Sequence, residues 1–227
     1  PGVTSMDVVR EVKRLTGQRK KVGHGGTLDP LAEGVLPIFL GQATKLMEYL
    51  VDSVKAYRMT VHLGATTETY DAEGDIVLER DPSQVTEGDI LRAMESFQGT
   101  ILQTPPMYSA IKKQGRRLYD LARAGMVIER DPRKVHIRRL ELLEFASPFM
   151  ELDVECGRGV YLRSLSHDLG EALGCGGHIK SLARLRSGPF TAEEGLSVDT
   201  LRNVVREELW QDHLLPVDFV VLHMKSI

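Results

Sequence analysis

The 227 residues are 42% hydrophobic, enough to bury one large core or two small ones. The longest apolar runs, residues 35–40 and 217–222, are far too short to cross a bilayer, and no charged-then-apolar leader opens the chain. A formal net charge of -3 argues, taken alone, against a nucleic-acid partner.

In chain order, Met6, Val9, Val12 and Leu15 recur at helical spacing behind Thr4-Ser5. A helix is therefore expected over 4–15, ended by Gly17. A second, short helix is expected over 43–51. Residues 55–63 alternate: Tyr57, Met59, Val61 and Leu63 share one face, and Ala56, Arg58, Thr60 and His62 the other. That predicts a strand, closed by Gly64. Thr86, with Asp89 three positions on, predicts a capped helix over 86–97 that buries Ile90, Met94 and Phe97. The turn-rich stretch 99–115 is the best linker candidate. Residues 134–145 and 150–156 read as strands. Residues 160–173 read as a helix with Leu162, Leu165, Leu169 and Leu173 inward, and 197–209 as another. From Pro216 an apolar, strand-like tail follows. There is no internal repeat. Strands and helices mix without regular alternation, which favours α+β over a doubly wound sheet. The chain opens on Pro1 without a Met, so a trimmed piece is expected.

Cys156 and Cys175 are not at metal-ligand spacing; a disulfide is allowed but not implied, and a reduced cytoplasmic protein is expected. The charge is polarised. Arg10, Lys13, Arg14, Arg19, Lys20 and Lys21 crowd one segment, Lys112, Lys113, Arg116, Arg117 and Arg123 a second, and Arg130, Arg133, Lys134, Arg138 and Arg139 a third. The acids concentrate in 71–95 and near the C-terminus. This distribution fits either ordinary solvated faces or a polyanion gripped on one side.

The most informative residue is Asp29, in Gly23-His24-Gly25-Gly26-Thr27-Leu28-Asp29-Pro30-Leu31-Ala32-Glu33-Gly34-Val35-Leu36. The glycines permit positive φ and close approach, and Pro30 pushes Asp29 towards an extended backbone. The apolar run behind it must be buried, so the carboxylate is held at the lip of a core. An Asp-Pro pair often does no more than close a turn. Tyr57, on the apolar face of its strand, is either a core tyrosine or an aromatic plate for a nucleobase. Arg163 lies in the first turn of the 160–173 helix, where a cation opposes the helix dipole unless an anion sits there too. It is the partner expected for Asp29, holding it by two hydrogen bonds and keeping it ionised; otherwise it is a solvated arginine. The segment 104–123 joins prolines and a glycine to packed cations and a short helix, which suits a mobile arm over phosphates or a long solvated loop.

These strings together resemble the TruB family of pseudouridine synthases over nearly the whole chain, from Pro1 to about Pro216. The resemblance is carried by the Asp29 segment, by Lys55-Ala56-Tyr57-Arg58 and Thr67-Glu68-Thr69-Tyr70-Asp71-Ala72-Glu73-Gly74, and by Thr104-Pro105-Pro106-Met107-Tyr108-Ser109-Ala110-Ile111-Lys112-Lys113-Gln114-Gly115. Gly159-Val160-Tyr161-Leu162-Arg163-Ser164-Leu165 and Ser181-Leu182-Ala183-Arg184-Leu185 complete it. The lysine–proline pair that usually precedes the first motif lacks its lysine here.

The resemblance implies a mixed, mainly antiparallel sheet flanked by helices, with residues 1–215 as the catalytic domain and a thumb-like insertion over about 104–133. Residues 216–227 would begin a linker to a C-terminal RNA-binding module. It implies isomerisation of uridine to pseudouridine in the T loop of tRNA, at the position usually numbered 55, with the base flipped out. Asp29, Tyr57 and Arg163 would be catalytic. His24 would stack in the space of an extruded nucleotide, Tyr161 and Leu182 would line the pocket, and Lys112, Lys113, Arg116 and Arg117 would bind RNA. No phosphate loop of the Walker or Rossmann type is present and no metal or other cofactor is implied. The partner expected is tRNA through its T arm, with no membrane and no protein partner, and the protein is expected to be a monomer. Two alternatives remain at this point: a non-catalytic RNA-binding or tRNA-chaperone module on the same fold, and a hydrolase using Asp29, with Glu33 as a weak second carboxylate.

Overall fold

A computed structural model describes residues 1–113 and 115–223; Arg117 is described by its backbone alone. Gln114 of the basic arm and residues 224–227 of the tail lie outside the described residues.

Helix α1 (Ser5–Leu15) starts as its sequence requires. The Thr4 hydroxyl accepts from the Asp7 N–H at 3.2 Å, and the Asp7 carboxylate accepts from the Thr4 N–H at 3.1 Å. Val9 and Val12 are buried, whereas Met6, expected on the same stripe, is exposed. Strands β1 (Val22–His24), β2 (Glu33–Gly34) and β3 (Ile38–Leu40) follow, with β1 and β3 antiparallel. The expected helix over 43–51 is divided into a 3-10 turn (Gly41–Leu46) and α2 (Met47–Val51). Strand β4 (Lys55–Leu63) has the expected alternation, with Met59, Val61 and Leu63 buried. The buried Lys55 ammonium donates to the carbonyls of Leu50, Val51 and Ser53, answering groups that the end of α2 leaves open.

Strands β5 (Ala65–Thr67) and β6 (Ile76–Glu79) form a hairpin. Helix α3 (Glu87–Glu95) carries the expected Thr86–Asp89 capping box and buries Ile90 and Met94; Phe97 falls beyond its end. Residues 99–103, expected as the start of a linker, are instead strand β7 (Gly99–Gln103). The basic arm folds as strands β8 (Lys112–Lys113) and β9 (Arg116–Arg117) and helix α4 (Leu118–Arg123), around buried Met107, Leu118 and Leu121. The long strands β10 (Arg133–Ala146) and β11 (Phe149–Cys156), helix α5 (Leu162–Ala172), and strands β12 (Gly177–Ser187) and β13 (Phe190–Thr191) come next. Helix α6 (Val198–Arg206) is capped by the Ser197 hydroxyl. The tail expected as a strand contains helix α7 (Phe219–His223), whose Val220 packs on Phe39 and Leu50.

The main sheet runs β13-β12-β4-β11-β10-β7, with β2 beside β12 in parallel. The pairs β7–β10, β10–β11 and β12–β13 are antiparallel, so the fold is α+β with a mainly antiparallel sheet, as expected. The chain divides into two compact units, Pro1–Tyr57 with the segment from Ala183 on, and Arg58–Leu182; it passes between them within β4 and β12. Both cysteines are buried. Among the described residues no helix is long and apolar enough to cross a membrane.

In α5, burial first and the charge of Glu171 second push the Asp168 carboxyl up to about 6. The folded state therefore holds that proton more tightly than the unfolded chain does. The resulting stabilisation is full below the unfolded carboxyl's range and is lost as pH rises through about 6. Asp168→Asn, which cannot ionise, is expected to raise the melting temperature more at about pH 7.5 than at about pH 4.5 in paired thermal scans.

Candidate active site

The Asp29 loop is built from backbone contacts. Gly25 is buried, and a Cβ there would overlap Leu50 and Phe39, so the chain lies directly on the core. Gly26 and Gly34 have φ of +133° and +99°, the conformations that glycine alone adopts without strain. The Gly25 N–H donates to the Pro37 carbonyl at 2.9 Å. The Ser5 hydroxyl clamps Leu28, accepting from its N–H at 2.8 Å and donating to its carbonyl at 3.1 Å. Asp29, next in the chain, opens a turn closed by the Ala32 N–H on the Asp29 carbonyl at 2.9 Å. Its side chain is half-buried. The turn and the core-edge position expected of Asp29 are thus both present.

The floor of this loop is Arg184, only 1% exposed. Its guanidinium donates to the carbonyls of Val35 (2.8 Å), Thr27 (3.3 Å) and Gly26 (3.2 Å). A Cβ on Gly34 would collide with the Arg184 backbone. Gly34→Ala is therefore expected to cost at least about 2 kcal/mol in urea unfolding, from the positive φ and the collision together. His24, at the end of β1, is half-buried, and its Nδ1 accepts from the Gly26 N–H at 3.4 Å. Burial, then the charge of Arg184, lowers its pKa, which favours the neutral ring. Tyr57, half-buried on β4, is in this same unit.

Arg163, Tyr161 and Leu182 belong to the other unit. Arg163 stands in the first turn of α5 and is 6% exposed, which removes the reading of a solvated arginine. It donates to the carbonyls of Thr69 (3.2 Å) and Tyr108 (2.8 Å), and its Nε is 3.6 Å from the Asp71 carboxylate. Asp71, 3% exposed, also accepts from the Thr69 hydroxyl at 2.5 Å and the Glu73 N–H at 3.0 Å. An anion thus does sit at this helix N-terminus, and the 67–74 string and the start of the 104–133 arm are tied to Arg163. Sequence reasoning missed Asp71 as a site residue, although a lone acid amid Thr-x-Thr and Glu-Gly was a usable signal. It also missed Gln103, whose buried amide accepts from the Tyr161 N–H at 2.8 Å and donates to the Tyr161 carbonyl at 3.0 Å. Tyr161 is thereby fixed at the N-cap of α5. Leu182 is 6% exposed on β12.

In the arm, Lys112 and Arg116 are exposed, Lys113 donates to the Glu129 carbonyl at 2.5 Å, and Lys112 and Arg117 pair through their backbones. Arg123 lies 4.4 Å over the Tyr119 ring. Among the described residues, no group of three or more His, Cys, Asp or Glu is arranged to hold a metal ion.

The chain is similar to known proteins along its whole length. Residues 13–162 match the family described as TruB family pseudouridylate synthase (N terminal domain), and residues 163–222 match the tRNA pseudouridylate synthase B C-terminal domain. A relative from Dehalococcoides mccartyi named tRNA pseudouridine synthase B is 46% identical over 227 residues, covering 100% of this chain and 75% of the relative. One of the same name from Clostridium perfringens is 45% identical over 218 residues, covering 96% and 72%. Among solved structures, a chain of a Cbf5-Nop10-Gar1 complex superposes with a TM-score of 0.75 at 32% identity, over 98% of this chain and 59% of that one. A chain of an H/ACA RNP bound to a substrate RNA containing 2'-deoxyuridine gives 0.73 at 29% identity, over 98% and 58%. This chain therefore spans under two thirds of those solved chains. On the family match and the relatives' identity, this chain belongs to the TruB family of pseudouridylate synthases.

Proposed function

We propose that this chain isomerises uridine to pseudouridine in tRNA, acting on the T-loop uridine usually numbered 55. The observation that carries the reading is the half-buried Asp29 carboxylate on a loop pinned at Leu28 by Ser5 and at Gly26, Thr27 and Val35 by Arg184. Such pinning is what a reacting group needs and a surface turn does not.

The reaction breaks the bond from ribose C1′ to N1 of uracil, forms one from C1′ to C5, releases the C5 proton and leaves N1 to take up a proton. Asp29 acts at the ribosyl centre, either as the nucleophile at C1′ or by taking a ribose proton to give a glycal-like intermediate. Arg163 is the catalytic cation, and Asp71 orients it. Tyr57, Tyr161 and Leu182 wall in the freed base. Tyr57 assists loss of the C5 proton, for which a phenol of pKa about 10 needs its surroundings to favour the anion.

The target must leave its stack, at a cost of a few kcal/mol. Phosphate contacts from Lys112, Lys113, Arg116 and Arg117 offset that cost, and His24 stacks where the base stood. In this reading residues 1–215 form the catalytic part, 104–133 the arm over the RNA, and the protein works in the cytoplasm as a monomer without a protein partner. The test is tritium release from tRNA labelled at uracil C5. Release into water with conversion to pseudouridine is expected. Tight tRNA binding without release would assign the chain to RNA binding alone.

A further inference from the structure

Arg184 does more than fill space. A guanidinium at 1% exposure needs its donors answered, since a buried unanswered cation is strongly unfavourable. Here the answers are three carbonyls, and all three belong to one loop: Gly26 and Thr27 on the N-terminal side of Asp29, and Val35 on the C-terminal side. The backbone of the same residue holds the loop as well. The Val35 N–H donates to the Arg184 carbonyl at 2.9 Å, and Ala183 and Arg184 pair in parallel with Glu33 and Gly34. One residue of β12 thus grips both ends of the segment whose middle carries Asp29. Among the described residues Arg184 makes no ion pair, so its charge is spent on carbonyl dipoles and is felt within the loop, where it helps to lower the pKa of His24. A lysine presents its donors from a single atom, and a neutral side chain leaves carbonyls unanswered; the planar fork spreads its five N–H donors over several atoms and so spans carbonyls on both sides of Asp29.

We propose that Arg184 is a positioning residue for the isomerisation: its guanidinium holds the 26–35 loop so that the Asp29 carboxylate meets the ribosyl carbon at a reactive distance. The inference rests on Asp29 being the reactive carboxylate.

The test compares the native sequence with Asp29→Ala, Arg184→Met, Arg184→Lys and Ile90→Ala. Ile90→Ala is a core truncation in α3, in the unit that does not carry the loop. For each variant the melting temperature, the tRNA dissociation constant and the single-turnover rate on saturating tRNA are measured. Arg184→Met is expected to slow the single-turnover step about 10²-fold, since displacement of a reacting group by about 1 Å has effects of that size. Its tRNA affinity should stay within about threefold, and Arg184→Lys should recover part of the rate. Ile90→Ala should lower the melting temperature without a comparable loss of rate. In an NMR titration, removing the guanidinium in Arg184→Met should move His24 protonation to higher pH.

If Arg184→Met lowers the rate no more than Ile90→Ala does at equal loss of stability, Arg184 is packing and the proposal is wrong. Should Arg184→Met fail to fold, Arg184→Lys decides: a slowed step at unchanged affinity supports positioning, and an unchanged rate overturns it. Full activity in Asp29→Ala would refute the reading of Asp29 itself. Inactive Asp29→Ala beside fully active Arg184 variants would refute only the inference.

Discussion

Asp29→Ala is expected to stop tritium release from C5-labelled tRNA while leaving tRNA affinity within about tenfold of the native value. The asymmetry follows from where the interactions sit. RNA affinity in the proposed mechanism comes from phosphate contacts made by the 104–133 arm and from stacking, neither of which involves Asp29. The carboxylate contributes only where the glycosidic bond is rearranged, so its loss falls on the chemical step. The loop itself should survive, because its anchors at Ser5, Pro37 and Arg184 use backbone groups of Gly25 to Leu28 and Val35. Equilibrium binding and single-turnover assays on one preparation check both halves. A large loss of affinity would mean that Asp29 holds the RNA rather than reacting with it.

The second large effect is expected at the buried pair behind Arg163. Arg163→Ala removes the cation and leaves Asp71, 3% exposed, beside an emptied site. Breaking a buried pair from one side costs about 3–5 kcal/mol, so a fall in stability should accompany a rate loss of at least about 10²-fold. Asp71→Asn separates the two effects. The amide keeps the shape and an oxygen able to accept from the Thr69 hydroxyl and the Glu73 N–H, but it lacks the charge that orients the guanidinium. A stable protein slowed about tenfold or more is expected, read as melting temperature against single-turnover rate. A rate unchanged in Asp71→Asn would show that Arg163 needs no acidic support.

Much of this was legible in the residues. Thr4 and Thr86 marked helix starts because a hydroxyl followed by an aspartate three positions on satisfies open N–H groups in both directions. The glycines around Asp29 marked a loop pressed on the core, and Gly25, Gly26 and Gly34 meet that description.

Other features were hidden by burial of polar groups. Strand β12 carries His178 and Arg184 inward beside Ile179 and Leu182, so it lacks the apolar alternation that betrays a strand. The reason lies in its partners: the His178 ring meets the Ala65 carbonyl at 2.8 Å, and Arg184 meets the Asp29 loop. Strand β7 is hard to tell from a linker in the sequence: Leu102 points outward at 68% exposure and Gln103 inward at 1%, reversing the usual polarity. Asp71 looked like one more acid in an acidic stretch; only its contact with Arg163, far away in sequence, distinguishes it. Helix α7 is held by Val220 against Phe39 and Leu50, which its own five residues do not announce.

The most direct measurement is a count of nucleosides. A tRNA transcript is incubated with the native chain or with Asp29→Asn, digested, and its uridine and pseudouridine are quantified and mapped. The account predicts one pseudouridine gained for one uridine lost, within the T loop, with the native chain, and none with Asp29→Asn. Pseudouridine formed equally well by Asp29→Asn, or none formed by the native chain on RNA it binds, would contradict it.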